Sequence, residues 1–179
     1  DGMSPERFSG MLHARGIQGL LLGPLAYGAP TPALRWEHFA AVRLGVPLST
    51  PTLTTVCNDH YFSALQVVRE CHKLGYRRPG LVVLRSHRER FHGRWDGGIV
   101  MSRHLLPGVR PVESLLLESW DDLAPVAAWL KRHRPDVIIS PSADVLLAHL
   151  KRLKRAVPRD IGLASLACPR PGDTLSGIC

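Results

Sequence analysis

Short apolar runs alternate with amphipathic segments along the chain, and the two kinds of segment differ in their period. The apolar runs are rich in Leu, Val and Ile, which is typical of strands buried on both faces. They lie at residues 17–22, 53–57, 80–84, 112–117, 137–140 and 161–166.

Between these runs, apolar residues recur at helical spacing and predict amphipathic helices. The predicted helices cover residues 5–14, 33–44, 61–74, 95–106, 123–132 and 145–153. The third helix has end signals, since Asp59 precedes it as a candidate N-cap and Gly75 follows it. Strands that alternate with helices predict an α/β fold with a mostly parallel sheet covered on both faces. Six strands and six helices are more than one small sheet usually holds, which leaves both one larger sheet and two lobes open.

Length, composition and the positions of the cysteines limit the classes of protein to which the chain can belong. The 179 residues, 45% of them hydrophobic and 21% charged, suit one ordinary domain or two small lobes. No apolar run approaches the roughly 20 residues of a membrane helix. The four cysteines at positions 57, 71, 168 and 179 form no CxxC pair, which favours reduced thiols and a cytoplasmic protein.

The net charge of +8 raises the question of a polyanionic partner. The basic residues fall into short clusters at predicted helix ends and loops: 77–78, 85–94, 131–134 and 151–155. We therefore interpret these clusters as solvated surface rather than as a site at which this segment itself contacts nucleic acid.

Six short motifs occur along the chain. Residues 56–64 and 74–81 read VCNDHYFSA and LGYRRPGL, with Ala64 and Gly75 eleven residues apart. The others are RWDG at 94–97, PDVII at 135–139, VPRDIGLASL at 157–166 and RGIQGLLL at 15–22. Together they resemble the effector-binding domain of LacI/GalR-type transcription regulators, in which V..DN..GA, LGHRRIA, R..G, PDAI, VPEDIAVVGF and..VDGIIL occur.

The resemblance implies a two-lobed, periplasmic-binding-protein-like (type I) α/β fold, with parallel sheets flanked by helices and a ligand cleft between the lobes. We expect an N-terminal lobe at residues 1–78, a C-terminal lobe at 79–166 and a crossover or return segment at 167–179. The family's helix-turn-helix headpiece, its hinge and a first βα unit do not appear in the sequence. We therefore expect a fragment that is incomplete at both ends.

The resemblance also implies a function. The chain would be the ligand-sensing and dimerisation domain of a bacterial regulator that binds a small-molecule effector, a sugar or related compound. Its partners would be a second copy and operator DNA, the latter through a headpiece absent from this chain; no cofactor and no membrane are expected. A solute-binding protein of a transport system shares the fold and is the alternative. The motifs, the cysteines and the absence of a secretory signal disfavour it.

Arg94 and Trp120 are the first candidate ligand-binding residues. Arg94 matches the family arginine whose guanidinium donates hydrogen bonds to ligand hydroxyls or a carboxylate. The alternative is a solvated arginine in a basic loop. Trp120 follows a predicted strand where the family often has an aromatic residue that stacks on the ligand. Its alternative role is to pack the next helix onto the sheet.

Asp59, Phe62 and Ser142 complete the candidate site. Asp59 matches a family aspartate and is also a plausible N-cap. Phe62 follows in the first turn, where a core role is at least as plausible as a ligand contact. Ser142 and Ala143 stand where the family often has Asn-Asp, and Ala167 and Cys168 stand where it often has an acidic residue. These departures disfavour a simple hexose and favour a less hydroxylated or more apolar ligand, or a regulator that has lost its effector response.

The sequence offers no catalytic or metal-binding pattern. Cys57 and His60 are three residues apart with no third group to form a catalytic set. His72, His87 and His92 show neither an i, i+4 pair nor a cysteine partner at finger spacing. Phosphate-binding glycine motifs are also absent. We therefore expect a binding protein rather than an enzyme, without a metal site.

Overall fold

The chain forms two compact units in a computed structural model that describes residues 3–25, 29–46, 50–167 and 177. The first unit runs from Asp1 to Asn58 and the second from Asp59 to Cys179. Among the described residues, no helix has the length and apolar character needed to cross a membrane.

The first unit holds one helix and a small parallel sheet. Its elements are α1 (Pro5–Ala14), β1 (Gly19–Leu22), a 3-10 turn (Trp36–His38), β2 (Ala40–Leu44) and β3 (Thr54–Val56). Helix α1 begins at Ser4, whose Oγ accepts a hydrogen bond from the backbone N–H of Arg7 at 3.3 Å. The three strands lie in the order β1-β2-β3, and both pairings are parallel.

The predicted helix at residues 33–44 is wrong. Its second half is β2, the central strand of the sheet, which pairs with β1 through Ala40–Arg43 and with β3 through Val42–Leu44. The buried Arg43 hid this strand, because a charged residue among apolar ones reads as the polar face of a helix. Within the strand, the guanidinium Nε of Arg43 donates to the carbonyl of Val46, so the charge is buried with a hydrogen-bond partner.

The second unit is a four-stranded parallel sheet with helices on both faces. Its strands are β4 (Pro79–Leu84), β5 (Leu115–Leu117), β6 (Val137–Ser140) and β7 (Gly162–Ser165), in the order β5-β4-β6-β7. Its helices are α2 (His60–Lys73), α3 (Arg85–Arg90), α4 (Arg94–Leu105), α5 (Ala124–His133) and α6 (Ala143–Arg152). All of them except α3 were predicted from the sequence.

Alternate residues of the central strands face two separate core clusters. Leu81 and Val83 pack with the buried residues of α2 and α4, which we call the α2/α4 face. Val82 and Ile138 pack with those of α5 and α6, which we call the α5/α6 face. Such two-sided burial explains the continuous apolar runs of the sequence and confirms the predicted α/β class with parallel sheets.

The boundary between the compact units lies before α2, whereas the sequence placed the end of the first lobe at residue 78. Helix α2 belongs to the second unit because Ala64, Val68 and Cys71 are buried against Leu81 and Val83. The predicted return segment, residues 167–179, falls almost entirely outside the described residues.

Helices α2 and α4 approach each other closely at Gly98. A Cβ built there would lie 2.3 Å from the carbonyl oxygen of Tyr61 and 3.0 Å from the Cβ of Ala64. At the neighbouring Gly97, a Cβ would lie 3.5 Å from the ring of Tyr61, an ordinary van der Waals contact. Gly98 therefore permits the helix contact, and Gly97 does not restrict it.

We expect Gly98→Ala to destabilise the second unit and Gly97→Ala to leave it unchanged or more stable. Both changes gain about 1 kcal/mol of helix propensity. Only the first forces apart two backbones, an overpacking cost of about 1–3 kcal/mol. Urea unfolding of the two variants measures the difference, and equal free energies of unfolding would contradict the close contact.

Candidate functional site

The carboxyl ends of β4 to β7 meet at one edge of the second sheet, which we call the carboxyl edge. Binding groups gather at this edge in open α/β sheets. Helices α2 and α4 run back along the sheet to the starts of β4 and β5, so their first turns also lie at this edge. Residues that follow strands and residues that begin helices therefore both lie at the carboxyl edge.

Asp59 and Arg94 lie at the starts of the two packed helices. The Asp59 carboxylate accepts a hydrogen bond from the backbone N–H of Phe62 at 2.9 Å, so it is the N-cap that the sequence indicated. Arg94 is the first residue of α4 and follows Gly93, whose φ is +63°. Both side chains are exposed, and both act electrostatically on His60. The two candidates therefore lie near the same imidazole.

Phe62 lies outside both core clusters and is 51% exposed. The Arg69 guanidinium lies 5.9 Å from the centre of its ring, within the range of a cation–π contact. The core role considered from the sequence is therefore wrong. An exposed ring close to Asp59 remains available as an apolar contact.

Trp120 and Ser142 lie on the other side of the sheet. The half-buried Trp120 ring packs against the α5/α6 face, as expected of a residue that holds a helix on a sheet. Ser142 precedes α6, and its backbone N–H donates to the Oγ of Ser140 at 3.2 Å. Arg94 and Trp120 thus belong to different faces of the sheet, and a shared ligand contact by the two stays a prediction.

A cluster of four rings at the start of α4 was missed by the sequence reasoning. The ring centroid of His60 lies 4.3 Å from that of Phe91 and 5.2 Å from that of Trp95, and His87 lies 6.5 Å from Trp95. We call His60, His87, Phe91 and Trp95 the ring cluster. His87, Phe91 and Trp95 follow one another at intervals of four residues, and this spacing is the sequence pattern that could have predicted the cluster. Neither Trp95 Nε1 nor His87 Nδ1 has a hydrogen-bond partner in the described chain, although both atoms are buried.

Both histidines of the ring cluster are held towards the uncharged form. Burial and the neighbouring charge of Arg94 lower the pKa of His60, and the charge of Asp59 opposes this only in part. Burial and the charge of Arg90 lower the pKa of His87. Arg94 therefore places a positive charge near the His60 imidazole, and Arg90 places one near His87.

Two buried serine hydroxyls end the neighbouring strands β6 and β7. Ser140 and Ser165 are paired in register, and both are almost completely buried. The Ser165 hydroxyl donates to the carbonyl of Ala167 at 2.9 Å and accepts from its N–H at 3.1 Å. The hydrogen bonds of these hydroxyls stabilise the turns that follow β6 and β7 at the carboxyl edge. Of the positions where polar groups were expected, Ala143 is buried, Ala167 is exposed and Cys168 lies outside the described residues.

The thiols and acidic groups do not form a reactive set among the described residues. Burial raises the pKa of Cys71 to about 11, so this thiol stays protonated at neutral pH and is a poor nucleophile. The His60 ring packs against Phe91 and Trp95. Within the described ranges, no three His, Cys, Asp or Glu side chains are placed to hold a metal ion.

We expect the stability of the chain to fall as the pH drops from about 7.5 to about 5.5 because of the ring-cluster histidines. Their pKa is lowered in the folded state, so the unfolded chain binds more protons as the pH falls through its own pKa of about 6.5. The double variant His60→Asn/His87→Asn should show a shallower fall. His104→Asn, at the exposed end of α4, serves as the control. Urea unfolding at each pH measures how steeply the free energy of unfolding falls as the pH drops. An equal fall in the unmodified chain, the double variant and the control would refute the assignment of this pH dependence to His60 and His87.

The comparisons with known proteins concern the fold. No protein-family model matches the sequence, and no curated protein sequence matches it significantly. Solved structures do match. A transcription regulator-like protein from Staphylococcus haemolyticus superposes with a TM-score of 0.62 at 19% identity, covering 89% of this chain and 59% of that chain. The chain therefore spans about three fifths of that protein.

Two further structures agree with the first. A LacI family transcriptional regulator from Silicibacter pomeroyi gives a TM-score of 0.60 at 18% identity, covering 90% of this chain and 64% of that chain. The transcriptional regulator CelR, solved in complex with cellobiose, gives 0.60 at 21% identity, covering 89% of this chain and 51% of that chain. The chain thus shares the α/β fold of transcription regulators of the LacI family.

Proposed function

We propose that the chain is the effector-sensing part of a LacI-type transcription regulator. The observation that carries the proposal is the fold shared with such regulators over nearly the whole chain. The ordered motifs at 56–64, 94–97 and 157–166 support it independently, because they are features of sequence rather than of shape. DNA binding is assigned to segments outside this chain, and the place of action is the cytoplasm.

The effector site is placed at the carboxyl edge of the second sheet, at the starts of α2 and α4. Arg94 is an exposed guanidinium with no ion-pair partner among the described residues, so its donors are available to a ligand. Asp59 keeps one carboxylate oxygen beyond the one that caps α2, and Phe62 offers an exposed ring. This set suits a small molecule that has a carboxylate or carbonyl oxygen, a hydroxyl and an apolar surface.

A hydroxyl-rich hexose fits less well than such a ligand. The family resemblance implies polar, hydroxyl-binding side chains at the positions of Ala143 and Ala167, where this chain has methyl groups. An apolar side chain leaves a buried hydroxyl without a partner, which costs about 1–3 kcal/mol. We therefore favour a sugar derivative or sugar acid with few hydroxyl groups.

The effector acts by shifting a conformational equilibrium. A ligand that binds one conformation better than another changes their populations by as much as its affinities differ. The same coupling changes the affinity of the regulator for DNA. No covalent step is required.

Homodimerisation is part of the proposal, since two DNA-binding headpieces read two half-sites. Met101 and Leu105 lie one helical turn apart on α4 and are 41% and 49% exposed, so this face is a candidate for the dimer contact. Light scattering on the intact regulator measures its oligomeric state. A monomer at micromolar concentration would contradict the proposed homodimer.

We expect Arg94→Ala to weaken effector binding about tenfold or more, because a hydrogen bond to a charged group is worth about 1.5–3 kcal/mol. A thermal-shift screen of sugars, sugar acids and nucleobases against the intact protein first identifies the effector. A ligand that binds only the folded form adds about 2.7 kcal/mol of stability at a hundredfold excess over its Kd. Calorimetric titration of the variant then measures the loss of affinity.

The control is Arg103→Ala, which removes an exposed arginine from the last turn of the same helix. It should bind the effector as the unmodified protein does. If Arg94→Ala binds normally, or if both variants lose affinity equally, the site is wrongly placed.

A further inference from the structure

A groove with a cationic rim lies at the opposite end of the second sheet, away from the candidate effector site. It is formed where α5 and α6 end and the chain enters β6 and β7. Its cavity volume is about 610 Å³. This lies within the range of about 300–1,000 Å³ that is usual for small-molecule sites. We call it the basic groove.

The lining of the basic groove combines an apolar floor with a charged rim. Leu130, Leu153 and Ile161 contribute aliphatic surface to the floor. Lys131, Arg134, Arg155 and Asp160 contribute the charged groups. The three cationic side chains belong to exposed residues, whereas Ile161 is buried. A ligand in this groove meets apolar surface and positive charge together.

Helix capping does not account for the cations. Basic residues often occur where helices end, because they offset the free carbonyl groups there. Here the α5 carbonyls of His133 and Arg134 accept hydrogen bonds from the guanidinium of Arg78, at 2.6 and 2.9 Å. In α6, the carbonyls of His149, Leu150 and Lys151 accept hydrogen bonds from the backbone N–H groups of the residues that follow the helix, at 2.9–3.0 Å. The cations on the rim do not supply the hydrogen bonds to these carbonyls.

The single carboxylate of the groove is already engaged. Asp160 pairs with Arg159 at 3.0 Å and accepts a hydrogen bond from the backbone N–H of Ala156 at 2.8 Å. These contacts lower the pKa of Asp160. Lys131 and Arg134 form no ion pair with any described residue. The rim therefore keeps positive charge that the protein itself does not neutralise.

We propose that the basic groove is a second ligand site, for a small organic anion with an apolar body. The anionic head, a phosphate, sulfonate or carboxylate, binds Arg134, Lys131 and Arg155, and the body lies on the aliphatic floor. Guanidinium groups suit such heads because they donate parallel hydrogen bonds to two oxygen atoms. The lining residues lie where α5 and α6 end and β6 and β7 begin, so the groove is at the end of the sheet opposite the effector site at the carboxyl edge.

The test uses anilinonaphthalene sulfonate, a fluorescent organic anion with an aromatic body, titrated into the full chain. The double variant Arg134→Gln/Arg155→Gln should bind the dye about tenfold or more weakly, since each lost charged hydrogen bond costs about 1.5–3 kcal/mol. Arg103→Gln/Arg110→Gln removes the same charge from exposed positions outside the groove and should leave the Kd unchanged. Equal losses in the two double variants would overturn the proposal, because net charge alone would then explain binding.

Two measurements on the unmodified chain separate the groove from other surfaces. Amide NMR shifts on adding the dye should change at Arg134 and Leu153 and leave Arg94 unaffected. Neutral phenylnaphthylamine should bind more weakly than the anionic dye. Shift changes confined to other regions, or equal binding of the neutral dye, would refute the site.

Discussion

The burial of the second sheet on both faces is the constraint on which the rest of that unit depends. Leu81, Val82 and Val83 of β4, like Val137, Ile138 and Ile139 of β6, are almost wholly inaccessible to solvent. Burying such strands on both faces requires a layer of helices on each side. Because the strands are parallel, helices α2, α4, α5 and α6 return in the opposite direction and end at the same edge. The two edges of the sheet therefore acquire different chemistry.

The carboxyl edge gathers helix starts, and the opposite edge gathers helix ends. At the first edge, Asp59 caps α2 and Arg94 opens α4, with His60 beside both. The opposite edge carries the basic last turns of α5 and α6 beside the groove that contains Arg134. Both edges therefore carry part of the net charge of +8. At the carboxyl edge, Arg90 and Arg94 lie near the histidines of the ring cluster. At the opposite edge, a group of cations surrounds an aliphatic floor.

The features that were predicted correctly from the sequence are those that local patterns determine. The strand at Val137–Ser140, the helix after Asp59 and the parallel α/β class were confirmed, because apolar runs and helix caps are local features. Strand β2 was missed because Arg43, which is buried in the folded chain, reads in the sequence as part of the polar face of a helix. The sequence placed the end of the first lobe at residue 78, whereas the compact units divide before α2, whose close packing on α4 at Gly98 appears only in three dimensions. Asp59 and Arg94 became candidates through their motifs, whereas the ring cluster required the folded chain to bring His60 to Trp95.

The central claim is that an effector binds at the starts of α2 and α4. Hydrogen exchange measured by mass spectrometry on the intact regulator, with and without the effector, tests it without any substitution. We expect slower exchange of backbone amides in the first turns of α2 and α4, around Phe62 and Gly97, when the effector is bound. Protection confined to the ends of α5 and α6, with none at these first turns, would contradict it.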